Sequence, residues 1–330
     1  MTLNRKDAWA LAWLTLLWGV NWPIMKAGVR DYPPMTFRAV AMAGGLVVLG
    51  AAIRRGGHDW RVPRAAWAEL ARIALFNGVL WYVLSIYGVR LLASGRAAIL
   101  GYTMPIWAAL IGIALYGQRP GRRLRIGLAA AAAGVALLLA GEAGHIAGRP
   151  LGAALMLSAA LAWGYGTHQM RRRTTSAAIA LPVLTFWMLA LSLVAALVVA
   201  VGFERDQWVR PPDAVEWLAI GFNALVVFGF CQLAWFRLAT ILPPVASGLS
   251  VMLIPVVGLL SGMALLGEQP AWRDWVALGC ILVAMASVLL PDAARRGQPR
   301  DGAVVEGAAA AADAVDAGAG AVARGARERC

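Results

Sequence analysis

Apolar positions in this chain come in long runs, separated by short clusters of Arg, Gly and Pro. Ten runs can be marked, at 8–29, 34–53, 65–89, 94–116, 124–141, 151–170, 177–202, 214–238, 244–266 and 271–290. A helix needs about 20 apolar residues to cross a hydrocarbon core of ~30 Å, and runs of that length recur along the chain. The pattern predicts an all-α membrane protein of ten transmembrane helices. The stretch 292–330 holds Ala, Gly, Asp and Arg without apolar periodicity, and is expected to be a disordered cytoplasmic tail.

The first and second halves resemble each other. "MPIWAALIGIALYGQRP" at 104–120 and "IPVVGLLSGMALLGEQP" at 254–270 align with Pro105 on Pro255, Gly117 on Gly267, Gln118 on Glu268 and Pro120 on Pro270. Near the start of each half, "LLWGVNW" at 16–22 meets "LAWGYGT" at 161–167. Five spans per half is an odd number, so the second copy enters the membrane from the opposite side. Inverted repeats of this kind belong to transporters, in which two related halves rock about a central site. The expected units are 1–145 and 146–291, each a five-helix repeat, followed by the tail.

Composition agrees with this reading. The 330 residues are 61% hydrophobic and 14% charged, whereas a soluble domain has roughly 45–50% and 25%. The net charge of +13 would suggest nucleic acid, but its arginines lie in clusters between apolar runs, and no nucleic-acid partner is expected. With the N-terminus inside, 17 Lys and Arg fall on the cytoplasmic side and 8 on the other. That bias predicts that both termini are cytoplasmic. Cys231 and Cys280 lie in apolar runs and Cys330 is last, so no disulfide framework is implied.

Several residues within the runs are not those a lipid-facing helix selects. Trp18 lies about 15 Å from the start of its helix, near the midplane, and shares a face with Thr15 and Trp22, bordered by Asn21. This arrangement points to a protein-lined cavity, although Trp22 alone reads equally as a residue of the outer aromatic belt. Lys26, about 27 Å along the helix, either snorkels to the outer surface or attracts anions at the cavity mouth. The third span places Asn77 near the midplane, with Tyr82 and Ser85 on a neighbouring face. The sixth offers Trp163 and His168, the latter read as an interfacial histidine or a proton carrier. The eighth offers Asn223, Gln232 and Trp235. Some of these polar groups need do no more than bond a neighbouring helix. Pro105 and Pro255 each remove a backbone donor midway along a span, and are expected to mark helix bends.

The helix centres hold no Asp or Glu, whereas proton relays usually need a carboxylate at depth. No H-E-x-x-H, G-x-S-x-G or phosphate-binding glycine loop occurs. Neither an enzyme nor a metal or cofactor site is expected.

"WGVNWPIMKAG" at 18–28, "PPMTFR" ending in Arg38, and "MPIWAALIGIALYGQRP" in this order resemble the drug/metabolite transporter superfamily, in its ten-helix EamA-type branch. The resemblance covers residues 8–290. The aromatic residues Trp18, Tyr82, Tyr102 and Trp163 make the chain similar to the YddG-type aromatic amino-acid exporters. This implies a basket of helices around a central cavity lined by spans one, three, four, six, eight and nine, with five and ten peripheral. Small multidrug exporters of the superfamily carry a glutamate eight residues before a lysine in the first helix. Here that position is Trp18, so the carboxylate for lipophilic cations is missing.

The expected substrate-binding residues are therefore Trp18, Asn21, Trp22, Asn77, Tyr82, Tyr102, Trp163, His168 and Gln232. The expected function is export of small metabolites, foremost amino acids with aromatic or apolar side chains, across a bacterial inner membrane. Facilitated diffusion or exchange by a monomer or homodimer is the expected mode. The alternatives are transport of sugars, nucleobases or drugs, a membrane-embedded enzyme, and a non-transporting helix bundle.

Overall fold

A computed structural model describes residues 5–142, 149–234 and 244–289. The expected tail at 292–330, Trp235 and Cys330 lie outside the described residues. Within them the chain forms ten helical rods and no strand. The rods are α1 (Arg5–Gly28), α2 (Pro34–Arg55), α3 (Arg64–Leu91), α4 (Ser94–Tyr116), α5 (Arg122–Glu142), α6 (Arg149–Arg171), α7 (Leu181–Phe203), α8 (Ala214–Ala234), α9 (Pro244–Leu266) and α10 (Trp272–Leu289). Seven of them, α2, α3, α4, α5, α7, α8 and α10, are long and apolar enough to cross a membrane.

Local chemistry sets the helix ends. Pro34 and Pro182 sit in the first two positions of α2 and α7, where the missing N–H costs nothing. Asp213 and Glu216 form a capping box at the start of α8: each side chain accepts from the other's backbone N–H, at 2.8 and 2.7 Å. Gly117 and Gly267 end α4 and α9 with φ of 63° each, a left-handed backbone that only glycine adopts cheaply. The expected spans match these rods to within a few residues. The largest shift at a helix start is in the seventh, expected from 177 but beginning at Leu181. Residues 174–176 are held out of the helix by Glu69, which accepts from the amides of Thr174 and Ser176 at 2.9 and 2.7 Å.

Packing follows an inverted twofold. α1 lies on α9 as α6 lies on α4; α3 lies on α6 as α8 lies on α1; α2 lies on α8 as α7 lies on α3. The self-paired contacts are α2 with α7, α4 with α9, and α5 with α10. Gly19 makes the first crossing, where its α-carbon abuts Val257 and Ile254, and Gly164 makes the equivalent one against Trp107 and Ala108. A side chain at either glycine would push the helices apart. These relations establish two inverted five-helix repeats.

The prolines at equivalent places behave differently. α4 is interrupted at Tyr102 and Thr103, and restarts at Met104 with Pro105 in its first turn. α9 runs without interruption through Pro255. α3 and α8 share another irregularity, a π-helical stretch over Leu75–Leu80 and Phe222–Cys231. Such wide turns leave backbone and side-chain groups without their usual partners, and are frequent at functional sites.

Candidate functional site

The two π stretches carry the same motif. "LFNG" at 75–78 and "GFNA" at 221–224 place Asn77 in α3 and Asn223 in α8. Both asparagines are buried, at 7% and 0% exposure. Each amide N–H donates to a backbone carbonyl, Asn77 to Trp163 at 3.3 Å and Asn223 to Ala219 at 3.0 Å. The Oδ1 of each is left without a hydrogen bond. Asn21 in α1 is buried with the same unsatisfied oxygen. Each such buried group costs about 1–3 kcal/mol, so three of them at membrane depth ask for a partner from outside the protein.

The fourth unsatisfied group is the Nε–H of Arg38. Arg38 is 3% exposed. Its Nη2 reaches the Sδ of Met25 at 3.5 Å, and its guanidinium lies 5.4 Å from the ring centroid of Tyr82. Met25 and Asn21 are four residues apart on α1 and so share a face. By helical rise, Asn21, Tyr82 and Asn223 lie about 10–14 Å below the face at which α1 ends, here termed the far face. Arg38 starts about 6 Å below that face, and its long side chain extends from there.

Tyr82 links this polar group to a set of aromatic rings on the neighbouring helices. Tyr82 meets Phe228 edge to face at 5.6 Å, and Trp22 meets Tyr102 at 6.2 Å. Trp22 is 4% exposed and packs on Gly101 inside the bundle, which excludes the belt reading. Trp163 is half-buried and pairs with Trp81 at 5.2 Å. Trp18 is half-buried against the core, beside Leu14. Gln232 is half-buried near the other end of α8. His168 stands apart, in the last turn of α6: it is buried, with Nε2 2.7 Å from the carbonyl of Ala108 and its ring on Tyr116.

Carboxylates at the two faces tie the repeats together. On the far face, Glu204 accepts from the amides of Met35 and Thr36, the Thr36 hydroxyl and the Tyr87 hydroxyl, at 2.8–3.0 Å. Glu268 accepts from the amide and hydroxyl of Ser94 and the amide of Gly95. Asp274 pairs with Arg96 at 2.6 Å. Lys26 donates to the Arg90 carbonyl at 2.6 Å rather than standing free, and with Arg96, Glu268 and Asp274 it lines a cavity of 410 Å³. Tyr32, in the turn before α2, has its phenol pKa raised, first by burial and then by nearby Glu216. On the near face, Glu69 holds residues 174–176, and the Arg172 guanidinium lies 3.7 Å from the Tyr116 ring centroid.

The family model for EamA-like transporters matches this chain twice, over residues 7–140 and 150–290. The chain belongs to the EamA-like transporter family. It is similar to the uncharacterized transporter YvbV of Bacillus subtilis (strain 168), at 29% identity over 80% of this chain and 85% of that one. It is also similar to the uncharacterized inner membrane transporter YedA of Escherichia coli (strain K12), at 28% identity over 85% and 90%. One crystal structure superposes with a TM-score of 0.61 at 20% identity, covering 89% of this chain and all of that one, and so shares the fold. The protein is therefore a multi-pass membrane transporter.

For an EamA-like transporter, the residue that sequence reasoning passes over is Arg38, noted only as the end of a motif. A signal is present: positions 34, 35, 41 and 42, one helical turn to either side, are Pro, Met, Ala and Met, so α2 offers it no carboxylate.

Proposed function

We propose that this chain exports small metabolites, foremost amino acids with aromatic or apolar side chains, across the bacterial inner membrane by alternating access. The observation that carries this reading is the set of buried, unsatisfied polar atoms of Asn21, Arg38 and Asn223, framed by Tyr82, Phe228, Trp22 and Tyr102. Polar groups at membrane depth are retained mainly where function uses them. Aromatic faces supply stacking, and a few placed polar groups fix the orientation of the substrate. The inner-membrane location is supported by the similarity to YedA, an inner membrane transporter.

Alternating access rocks the two five-helix units, 1–145 and 146–291, against each other. Release of the Glu204, Glu268 and Asp274 bonds opens the far face; release of the Glu69 bonds opens the near face. Among the described residues, Asp and Glu stand in loops or within two turns of a helix end, not beside the polar cluster. Facilitated diffusion or exchange therefore needs no proton at the site. With both termini cytoplasmic, the far face is periplasmic.

The test is counterflow of labelled amino acids in liposomes, across a panel that includes sugars and nucleobases and with no pH gradient. Exchange of aromatic or apolar amino acids is expected. Exchange confined to another solute class, or appearing only with an imposed pH gradient, overturns the reading. Accessibility of a single cysteine placed at position 295 checks the topology, and an external location overturns it.

A further inference from the structure

We infer that Arg38 is the carboxylate-binding subsite of this carrier. The inference rests on the transport reading above and names the group on the substrate that Arg38 selects.

Arg38 is a fully buried cation whose described neighbours supply no anion. Met25 offers a thioether sulfur, a weak acceptor, and Tyr82 offers the face of a ring. The Nε–H has no acceptor. A charge stripped of water and left without a counter-charge is strongly unfavourable, so one kept at this depth implies a partner that arrives and leaves. Guanidinium is also the side chain whose planar fork of N–H groups matches the two oxygens of a carboxylate.

The fold does not require a cation here. The second repeat repeats the local sequence, "PMTFR" at 34–38 against "TFW" at 185–187, and places Trp187 where the first has Arg38. Trp187 donates its indole N–H to the carbonyl of Trp60 at 3.2 Å and leaves nothing unpaired. Helix packing is thus satisfied by an apolar ring at this position.

The neighbouring groups describe the rest of the ligand. Asn21 lies on the α1 face that brings Met25 to the guanidinium, and its free Oδ1 is an acceptor. Asn223 adds a second free oxygen on α8, the helix whose Phe228 meets Tyr82. One donor cation and two carbonyl acceptors are the complement of a zwitterion: carboxylate on Arg38, ammonium on the asparagines. Access runs beneath the far-face bonds, since Thr36, held by Glu204, is two residues from Arg38.

The experiment compares wild type, Arg38→Lys and Arg38→Gln in liposomes loaded with L-phenylalanine, at equal amounts of folded protein. Exchange of labelled L-phenylalanine is competed by unlabelled L-phenylalanine and by 3-phenylpropionate, which keeps the carboxylate. It is not competed by phenethylamine, which lacks it. Arg38→Gln lowers exchange by about tenfold or more, the scale of one lost charge-assisted contact, and Arg38→Lys falls between. Competition by phenethylamine equal to that by L-phenylalanine overturns the inference, as does exchange by Arg38→Gln within about twofold of wild type. If Arg38→Gln does not fold, the competitor series on wild type decides alone.

A second readout separates the inference from the reading beneath it. In detergent, 3-phenylpropionate raises the melting temperature of wild type but not of Arg38→Gln. That shift without any amino-acid exchange would sink the transport reading and keep the subsite. Equal exchange by both proteins would keep the reading and sink the subsite. Neither exchange nor a shift would sink both.

Discussion

Arg38 and Trp187 occupy the same place in the second helix of each repeat, and they are held in opposite ways. Trp187 packs edge to face on Trp67 and Phe186 and satisfies its N–H on a backbone carbonyl. Arg38 is buried against a thioether and a phenol ring, with a donor left over. A second pair departs from symmetry in the same way. Asn21 corresponds to Gly166, and Gly166 is the small residue against which Asn77 packs. Where helices cross, at Gly19 and Gly164, the repeats agree. The repeats also agree at the buried Asn77 and Asn223, each with a free Oδ1, and they differ at Arg38 and Asn21. The scaffold is twofold, and the departures from it fall on the first two helices of the first repeat.

The largest effect should come from breaking the shared part. Gly19→Leu and Gly164→Leu each insert a side chain into a helix crossing and should each cost about 3 kcal/mol, the upper range for overpacking. Thermal unfolding and folded yield in detergent measure this. Gly221→Ala, where an added carbon meets nothing within 4 Å, is the silent control. Tolerance at one crossing and not the other would show that the twofold packing is not shared.

Glu204→Gln should lower stability by about 2 kcal/mol, since charge-assisted bonds to two amides and two hydroxyls become neutral ones. An unchanged unfolding temperature would mean that the far face is held elsewhere. Trp18→Ala and Trp163→Ala, equivalent positions in the two repeats, should each lower transport by about tenfold per folded molecule, an aromatic contact being worth about 0.5–1.5 kcal/mol beyond burial. Normal transport by both would assign these rings to packing. The smallest effect belongs to Trp187→Phe, which loses one hydrogen bond, about 1 kcal/mol, and should leave transport intact. A transport loss like that of Arg38→Gln would erase the contrast between the repeats.

The ten rods are legible in the sequence because the bilayer allows few alternatives: about 20 apolar residues must stay helical. Their ends are legible where Gly117, Gly267, Pro34 and Pro182 write them locally. The start of α7 is not, because Glu69, which diverts the chain there, lies 105 residues away from Thr174. A place near a helix end suggests that water reaches His168. Its burial depends instead on the Ala108 carbonyl and Tyr116, both contributed by α4. Asn21, Tyr82, Trp22 and Tyr102 stand out as polar or aromatic groups within apolar runs. The isolation of Arg38 does not, because lacking a partner is a property of three helices together. The paired "FN" in α3 and α8 is a sequence signal in its own right, since it marks the irregular stretch in both repeats.

The far-face bonds also impose a schedule on synthesis. The amide of Thr36 is made 168 residues before Glu204, and Ser94 is made 174 residues before Glu268. At about 5–20 residues per second, the first half of the chain waits about 8–35 s in the bilayer before its far-side partners exist. The near-face bond from Glu69 to Thr174 closes over 105 residues, and so forms sooner. Translation order thus seals the near face first and the far face last, and a ribosome stalled past α6 would leave a half-transporter with its far side unlatched.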